Sequence, residues 1–190
     1  MTDETQPESA ALSPTERTRI RRLPERAVSH RQDLYDVLDA GLLAHVGITD
    51  ETGQTYVLPV AYARDGDRVV IHGSTGSRLF RSLASGAQAC FSVTLVDGVV
   101  IARSAFESSL NYRSVMVLGR FTVLNDDEAV VALQLITDHL IPGRSAEIRE
   151  NAKKELAATR VLALDLAEAS VKIRTVTSHA ATTITIRAKI

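Results

Sequence analysis

Polar and apolar residues alternate from Leu42 to Thr49, with Leu42, Ala44, Val46 and Ile48 on one side and Leu43, His45 and Gly47 on the other. A period of two predicts a strand with one buried face. A turn at Glu51-Thr52-Gly53-Gln54 leads to a second run, Thr55–Tyr62, and Arg64-Asp65-Gly66-Asp67 returns the chain into a third, Arg68–His72. The three read as an antiparallel meander. Pro59 is out of place in mid-strand, because proline cannot donate to a ladder, so it predicts an edge or bulge with backbone groups free for a ligand. Further strands are predicted at Ala89–Val96 and Val99–Ala102, joined by a hairpin turn at Asp97-Gly98. Tyr112–Leu124 is apolar on both faces, with a kink or bulge at Gly119, and Val161–Leu166 and Val171–Val176 complete the strands.

Helical spacing appears between these runs. Ser29-His30-Arg31-Gln32 has the form of a capping box, and Leu34, Tyr35, Val37 and Leu38 share one face until Gly41. A short helix is predicted from Ser77 to about Ser85, stopped at Gly86. Asn125, followed by Asp126, Asp127 and Glu128, opens an amphipathic helix that carries Val130, Leu133, Leu135 and Ile136 to Pro142-Gly143. A helical stretch at about 146–157 follows. About six strands in hairpin order, with helices inserted rather than alternating, predict a mainly β fold: a small antiparallel barrel with flanking helices. A barrel of that size is filled by side chains, so a cofactor would sit outside it, in a groove between strands or subunits.

At 190 residues the chain has the length of one domain. Residues 1–19 are expected to form a disordered tail that adds nothing to the core, 20–178 the folded domain, and 179–190 a C-terminal tail. The arginine cluster Arg17, Arg19, Arg21, Arg22 and Arg26 reads as an arm docked on its own domain or on a twin subunit, since no aromatics interleave it. A formal net charge of -1 gives no field for wrapping nucleic acid or lying on an anionic membrane. The single cysteine, Cys90, excludes an internal disulfide and a cysteine zinc site. With no apolar run of membrane-spanning length and an acidic start, a cytoplasmic location is expected.

Candidate chemistry concentrates at His72-Gly73-Ser74-Thr75-Gly76-Ser77-Arg78, between a predicted strand and a predicted helix. Glycines admit an anion to the backbone, hydroxyls donate to it, and Arg78 supplies a cation, so the run suits a phosphate as well as an ordinary loop. Its spacing is neither that of a Walker loop nor that of the dinucleotide fingerprint. His72, at a strand end beside this loop, suits proton exchange, or is simply hydrogen-bonded there. His45 reads as a core or interface residue, His30 as part of a cap and His139 as a helix C-terminal residue. No metal-ligand spacing and no serine-hydrolase elbow is present. Cys90 reads as a small apolar strand residue.

The segments Arg21-Arg22-Leu23-Pro24-Glu25-Arg26, Leu58 to Asp67, His72 to Arg78, Asp97 to Phe106, Asn111 to Val115 and Ser170 to Arg174, in this order, resemble the flavin-binding relatives of pyridoxamine 5′-phosphate oxidase. Within that superfamily the chain is similar to the branch containing the nitroimidazole-resistance reductases. The resemblance spans roughly residues 20–175. It implies a six-stranded split β-barrel that forms a homodimer and binds FMN in two equivalent grooves at the subunit interface. Carried onto this sequence, Pro59, Val60 and Ala61 would run beside the isoalloxazine ring, and Ile71 and His72 would line the ring and ribityl chain. Gly73, Ser74, Ser77 and Arg78 would hold the phosphate, Asn111, Arg113 and Ser114 would lie near the flavin, and Lys172 and Arg174 would reach the partner's cofactor or substrate. The implied activity is two-electron oxidation or reduction of a small molecule, with His72 as proton donor. A flavin carrier or sensor without turnover, or a haem or deazaflavin in the same groove, are the other readings. Glu107-Ser108-Ser109-Leu110 departs from the histidine pair and methionine of many relatives, and the segment after Thr177 lacks their acidic ending.

Overall fold

The computed structural model describes residues 12, 15–175 and 182–185. Its elements, in chain order, are β1 (Ala27–Val28), α1 (Arg31–Ala40), β2 (Leu43–Thr49), β3 (Thr55–Asp65), β4 (Arg68–Ser74), α2 (Arg78–Ala84), β5 (Gln88–Ile101) and β6 (Ser109–Arg120). Then follow β7 (Thr122–Val123), α3 (Asp126–Leu140), α4 (Lys153–Ala158), β8 (Thr159–Asp165), β9 (Ala169–Arg174) and β10 (Thr182–Thr185). All strand pairs are antiparallel. The sheet runs β1-β9-β6-β5-β2-β3-β4-β8-β7, with β10 added to β5.

The mainly β class with flanking helices is as expected, but the six-stranded closed barrel is not. Nine strands follow one another along an open path: among the described residues β1 pairs only with β9, and β7 only with β8. Two-residue strands carry too little alternation to be read from sequence. The sheet still curls around its core. At Gly119 an added Cβ would come within 2.8 Å of Leu164 Cδ1, so this glycine lets β6 approach β8 closely rather than kinking the strand. The chain leaves β6 only after Arg120 and crosses to β8 through β7.

Alternation places the core as predicted. Ala44, Val46 and Ile48 of β2 point inward and pack with Phe91, Val93, Val115, Val117, Leu162 and Leu164. A second cluster lies on the opposite face of β4 and β8, where Val70, Val161 and Ala163 meet Ala132 and Ile136 of α3. That helix begins at the predicted cap: Asn125 Oδ1 accepts from Glu128 N–H (3.0 Å), and Glu128 Oε2 accepts from Asn125 N–H (3.2 Å).

Other local expectations are corrected. Asp97-Gly98 is not a hairpin turn, because β5 runs through it and pairs with β6 on both sides, with a register shift between Val96 and Gly98. Gly98 lacks the positive φ that the turn requires, and the long partner strand makes a bulge the better solution. The helix α1 is capped at His30 without a side-chain hydrogen bond, so the Ser29 capping box does not form. The stretch predicted as one helix near 146–157 is a 3-10 turn, Arg144–Glu147, followed by α4. The tail expected over 1–19 is partly inside the domain: Leu12 belongs to the core cluster, Thr18 is buried, and Arg17 pairs with Glu168. Residues 1–11 and most of 179–190 lie outside the described residues, although 182–185 form β10. No helix among the described residues is long and apolar enough to cross a membrane.

Tyr62 ties two layers together. Its hydroxyl donates to the Leu38 carbonyl at 2.6 Å, one of the carbonyls that α1 leaves unpaired at its C-terminus. Its ring meets Phe91 edge to face, with centroids 5.2 Å apart. Burial raises the phenol pKa, keeping the group a neutral donor. Tyr62→Phe should therefore cost about 1–3 kcal/mol, because it strands a buried carbonyl, with a lower urea midpoint and an unchanged m-value.

Candidate functional site

The third and fourth strands separate at one end. They pair from Tyr62↔Ile71 to Asp65↔Arg68, after which β3 continues on β2 alone and β4 on β8 alone. From Thr55 to Ala61, one edge of β3 therefore has no ladder partner among the described residues. Pro59 stands in this stretch, in register with His45, which explains why the sheet tolerates it. Backbone donors and acceptors along that edge can be satisfied by water or by a ligand.

The segment from Ser74 to Arg78 borders this opening. Thr75 fastens it to the end of α4: its N–H and its hydroxyl both donate to the Ala158 carbonyl, at 3.0 and 3.3 Å. Ser74 Oγ accepts from Gly76 N–H (3.2 Å), and Ser77 N–H donates to the Ser74 carbonyl (3.0 Å). Ser77 caps α2 without using its side chain, so its hydroxyl remains free to donate. The Arg78 guanidinium carbon lies 3.9 Å above the centroid of Tyr56, a stacking that fixes its plane. Among the described residues no carboxylate pairs with Arg78. A fixed, unneutralised guanidinium beside hydroxyls has the chemistry to hold an anion.

Other predicted residues take different positions. Ile71 and Val60 have their side chains in the core, leaving only their backbones to a ligand, whereas Pro59 and Ala61 face outward. Gly73 is packed so tightly that a Cβ there would fall 2.2 Å from Phe80 Cε2. His72 points to the opposite face from Ile71, into a cavity shared with Leu133, Gln134, Thr137, Ile148 and Arg149. Its imidazole is open to that cavity, yet surrounded closely enough that burial lowers its pKa. The shift favours the uncharged imidazole.

The second predicted group is elsewhere on the sheet. Ser114 is in register with Lys172, and Tyr112 with Arg174, on β6 and β9. Arg113 pairs with Asp97 (2.8 Å), Lys172 Nζ donates to the Arg22 carbonyl (3.2 Å), and Asn111 is buried and engaged. Arg174 Nε is buried without a hydrogen-bond partner among the described residues. Strands β6, β5 and β2 lie between β9 and β3 in the sheet order, so this group sits on strands that do not adjoin the β3 edge. Sequence reasoning missed two residues of the first group. Tyr56 supports Arg78, and Arg160, opposite Gly73, keeps its Nε buried and unpaired. The signal for Arg160 was an arginine opening an otherwise apolar strand.

The histidines outside this region are structural or surface residues. His139 Nε2 lies 2.6 Å from the Gly41 carbonyl, His30 caps α1, and His45 is exposed on the outer face of β2. Among the described residues no cluster of His, Cys, Asp and Glu could hold a metal ion through protein ligands alone.

A family model for pyridoxamine 5′-phosphate oxidase matches residues 30–173, about three quarters of the sequence. The chain belongs to the pyridoxamine 5′-phosphate oxidase family. Two solved structures of this fold are similar in sequence as well. An FAD and heme binding protein from Mycobacterium smegmatis is 42% identical, with 85% of this chain and 84% of that one covered and a TM-score of 0.80. A flavocytochrome from Azotobacter vinelandii is 38% identical, with coverage of 94% and 87% and a TM-score of 0.85. A protein of Bacteroides thetaiotaomicron described as a 5-nitroimidazole antibiotic resistance protein is 18% identical, with coverage of 77% and 86% and a TM-score of 0.66, and shares the fold. None of the proteins with curated functional descriptions matches the sequence.

Proposed function

We propose that this protein is a flavin-binding oxidoreductase of the pyridoxamine 5′-phosphate oxidase family, acting on a small molecule as a homodimer. The observation that carries the reading is the unpaired edge of β3 lying beside a segment whose arginine is fixed and unneutralised. The residues present fit the group. Ser74, Ser77 and Arg78 suit the flavin's 5′-phosphate, and the backbone of Pro59–Ala61 suits the hydrogen-bonding edge of its ring. When bound, a flavin supplies one- or two-electron transfer, while the chain supplies binding and orientation. The phosphate beside the ribityl chain is common to FMN and FAD, and the description of the Mycobacterium smegmatis relative favours FAD.

A second copy completes the site in this reading. On the outer face of β2, β5, β6 and the Thr55–Ala61 part of β3, Leu43, Val57, Val96 and Leu110 are exposed. Apposition of two such faces would cover these residues and bring Ser114, Lys172 and Arg174 of one copy toward the β3 edge of the other.

Chromophore release from purified protein, followed by chromatography, tests the cofactor. Arg78→Ala should weaken flavin binding about 10- to 150-fold, the equivalent of about 1.5–3 kcal/mol for a charge-assisted bond, with the far-ultraviolet circular dichroism unchanged. Undiminished flavin in that variant would refute the phosphate assignment. Sedimentation of a fully flavinated monomer would refute the dimeric site. A second redox group is favoured by two relatives at 42% and 38% identity, one named for FAD and heme and the other a flavocytochrome. Haem is accordingly included in the proposed cofactor set.

A further inference from the structure

The arginine arm ahead of β1 is fixed in place but not neutralised. Residues 16–26 carry five arginines and two glutamates, a net +3 in a chain whose formal total is -1, so the remainder of the chain is acidic at -4. The arm is anchored on its own domain at both ends. Thr18 is buried and Arg17 pairs with Glu168 at one end; at the other, Ala27 is in register with Lys172 of β9, whose Nζ donates to the Arg22 carbonyl at 3.2 Å. Between these anchors Leu23 adopts φ 56° and ψ 60°, the single non-glycine residue at positive φ among the described residues. A left-handed backbone is unfavourable for leucine and persists only where its surroundings impose it, so the anchors hold the loop in one shape.

That loop presents an apolar centre among guanidiniums. Leu23 is 36% exposed, and Arg21, Arg22 and Pro24 beside it are exposed as well. Arg19 and Arg21 share the one carboxylate of Glu16, at 3.0 and 3.2 Å, and Arg26 reaches only Glu25, at 3.8 Å. Arg22 forms no ion pair among the described residues. Exposed pairs of this kind add little to stability, so folding does not account for the cluster. Arginines around a desolvatable apolar centre are the composition of a protein-binding surface, and their sign calls for an acidic partner. Nucleic acid fits less well, because no aromatic side chain in the arm offers a base a stacking platform. An anionic membrane would be repelled by the acidic remainder of the chain.

The position of the arm narrows the partner further. Lys172, which holds the arm by the Arg22 carbonyl, lies on the strand that the dimeric reading turns toward the flavin of the other copy. We propose that the arm is the docking surface for an acidic one-electron carrier protein that reduces this flavin. The inference rests on the reading of the protein as a flavin-binding homodimer, and it names the class of reductant. Each carrier molecule gives up one electron; two of them, with two protons from solvent, convert one oxidised flavin to its two-electron-reduced form. Positive charge gathered on the arm steers the carrier there, while the acidic remainder of the chain turns it away from other faces, so the encounter is fast and salt-dependent.

The test uses the full chain with its flavin and, as the probe, a reduced plant-type ferredoxin, an acidic iron–sulfur protein that gives one electron. In anaerobic stopped flow, bleaching of the flavin should be second order and should slow about tenfold or more from low to high salt. At about 0.1 M salt, Arg21→Glu together with Arg22→Glu should slow it about fivefold or more, and Arg21→Gln with Arg22→Gln should fall between that variant and the wild type. Flavin content, circular dichroism and reduction by dithionite should stay at wild-type levels in both. Lys153→Glu with Lys154→Glu makes the same change of net charge at exposed positions of α4 and should slow bleaching less than about twofold. Equal slowing in the arm and α4 variants, a rate indifferent to salt, or no bleaching of the flavin-loaded wild type would overturn the docking surface and leave the flavin reading intact. Wild-type protein that holds no flavin and takes up none would overturn that reading, and this inference with it. Binding of duplex DNA that the arm variants abolish, with ferredoxin kinetics unchanged, would overturn the assignment in favour of nucleic acid.

Discussion

Phe91→Ala is expected to lower the unfolding free energy by about 3–5 kcal/mol, as large-to-small changes at fully buried aromatic positions do. Phe91 lies at the middle of β5 with no exposed surface, in register with Val46 of β2 and Val117 of β6. Its ring edge supports Tyr62, whose hydroxyl closes the end of α1. No neighbour can fill the space cheaply, because all three central strands are fixed by ladders on both sides. For a domain whose total stability is on the order of 5–15 kcal/mol, the loss is a large fraction of the whole. Chemical denaturation followed by circular dichroism measures it, with Phe106→Ala as the control, since Phe106 is 98% exposed and should change stability by less than about 0.5 kcal/mol. Equal losses in the two variants would show that the core is organised around other residues.

Gly73→Ala should damage both stability and the proposed cofactor site. The methyl group would lie 2.2, 2.6 and 2.7 Å from three atoms of the Phe80 ring. Phe80 is buried on α2 together with Leu79 and Leu83, so the ring has little room to withdraw, and β4 is held in place by its pairing with β8. The compliant element is therefore the start of α2, two residues before Phe80, where Arg78 stacks on Tyr56. The expected cost is about 1–3 kcal/mol of overpacking, accompanied by weaker flavin retention, even though glycine itself makes no charged contact. Adding Phe80→Ala should relieve the clash, so that the double variant loses less stability than the two single losses added together. Strict additivity in thermal melts would mean that the two positions do not compete for the same space.

Much of this architecture was legible in the chain because the signals were local. The alternation of Ala44, Val46 and Ile48 fixed the buried side of β2, and Asn125 with Glu128 marked the start of α3. The segment 72–78 was singled out as a candidate phosphate loop by its residue chemistry. Local signals failed where another strand was the deciding partner. Asp97-Gly98 has turn chemistry, yet β6 pairs through it, and the ladder outweighs the turn preference. Strands β1 and β7, two residues each, exist only because β9 and β8 offer them an edge.

The candidate site divides in the same way. Its hydroxyls and Arg78 lie within five consecutive residues, so the loop could be recognised before any fold was known. The opening between β3 and β4, the support of Arg78 by Tyr56 and the direction of the His72 side chain could not. Periodicity tells which residues share a face of a strand, but not which strand lies alongside or what covers that face.

By itself the sequence determined a mainly antiparallel protein with a capped α3, a phosphate-suited loop and membership of a flavin-binding family. Those properties follow from residue chemistry at fixed spacing along the backbone. Only the tertiary structure decided that the sheet stays open among the described residues, that the group on β6 and β9 lies on strands not adjoining the β3 edge, and that His72 looks into the space beneath α3. These depend on long-range pairing, where the free energy of joining distant segments selects among arrangements that the local pattern leaves equivalent.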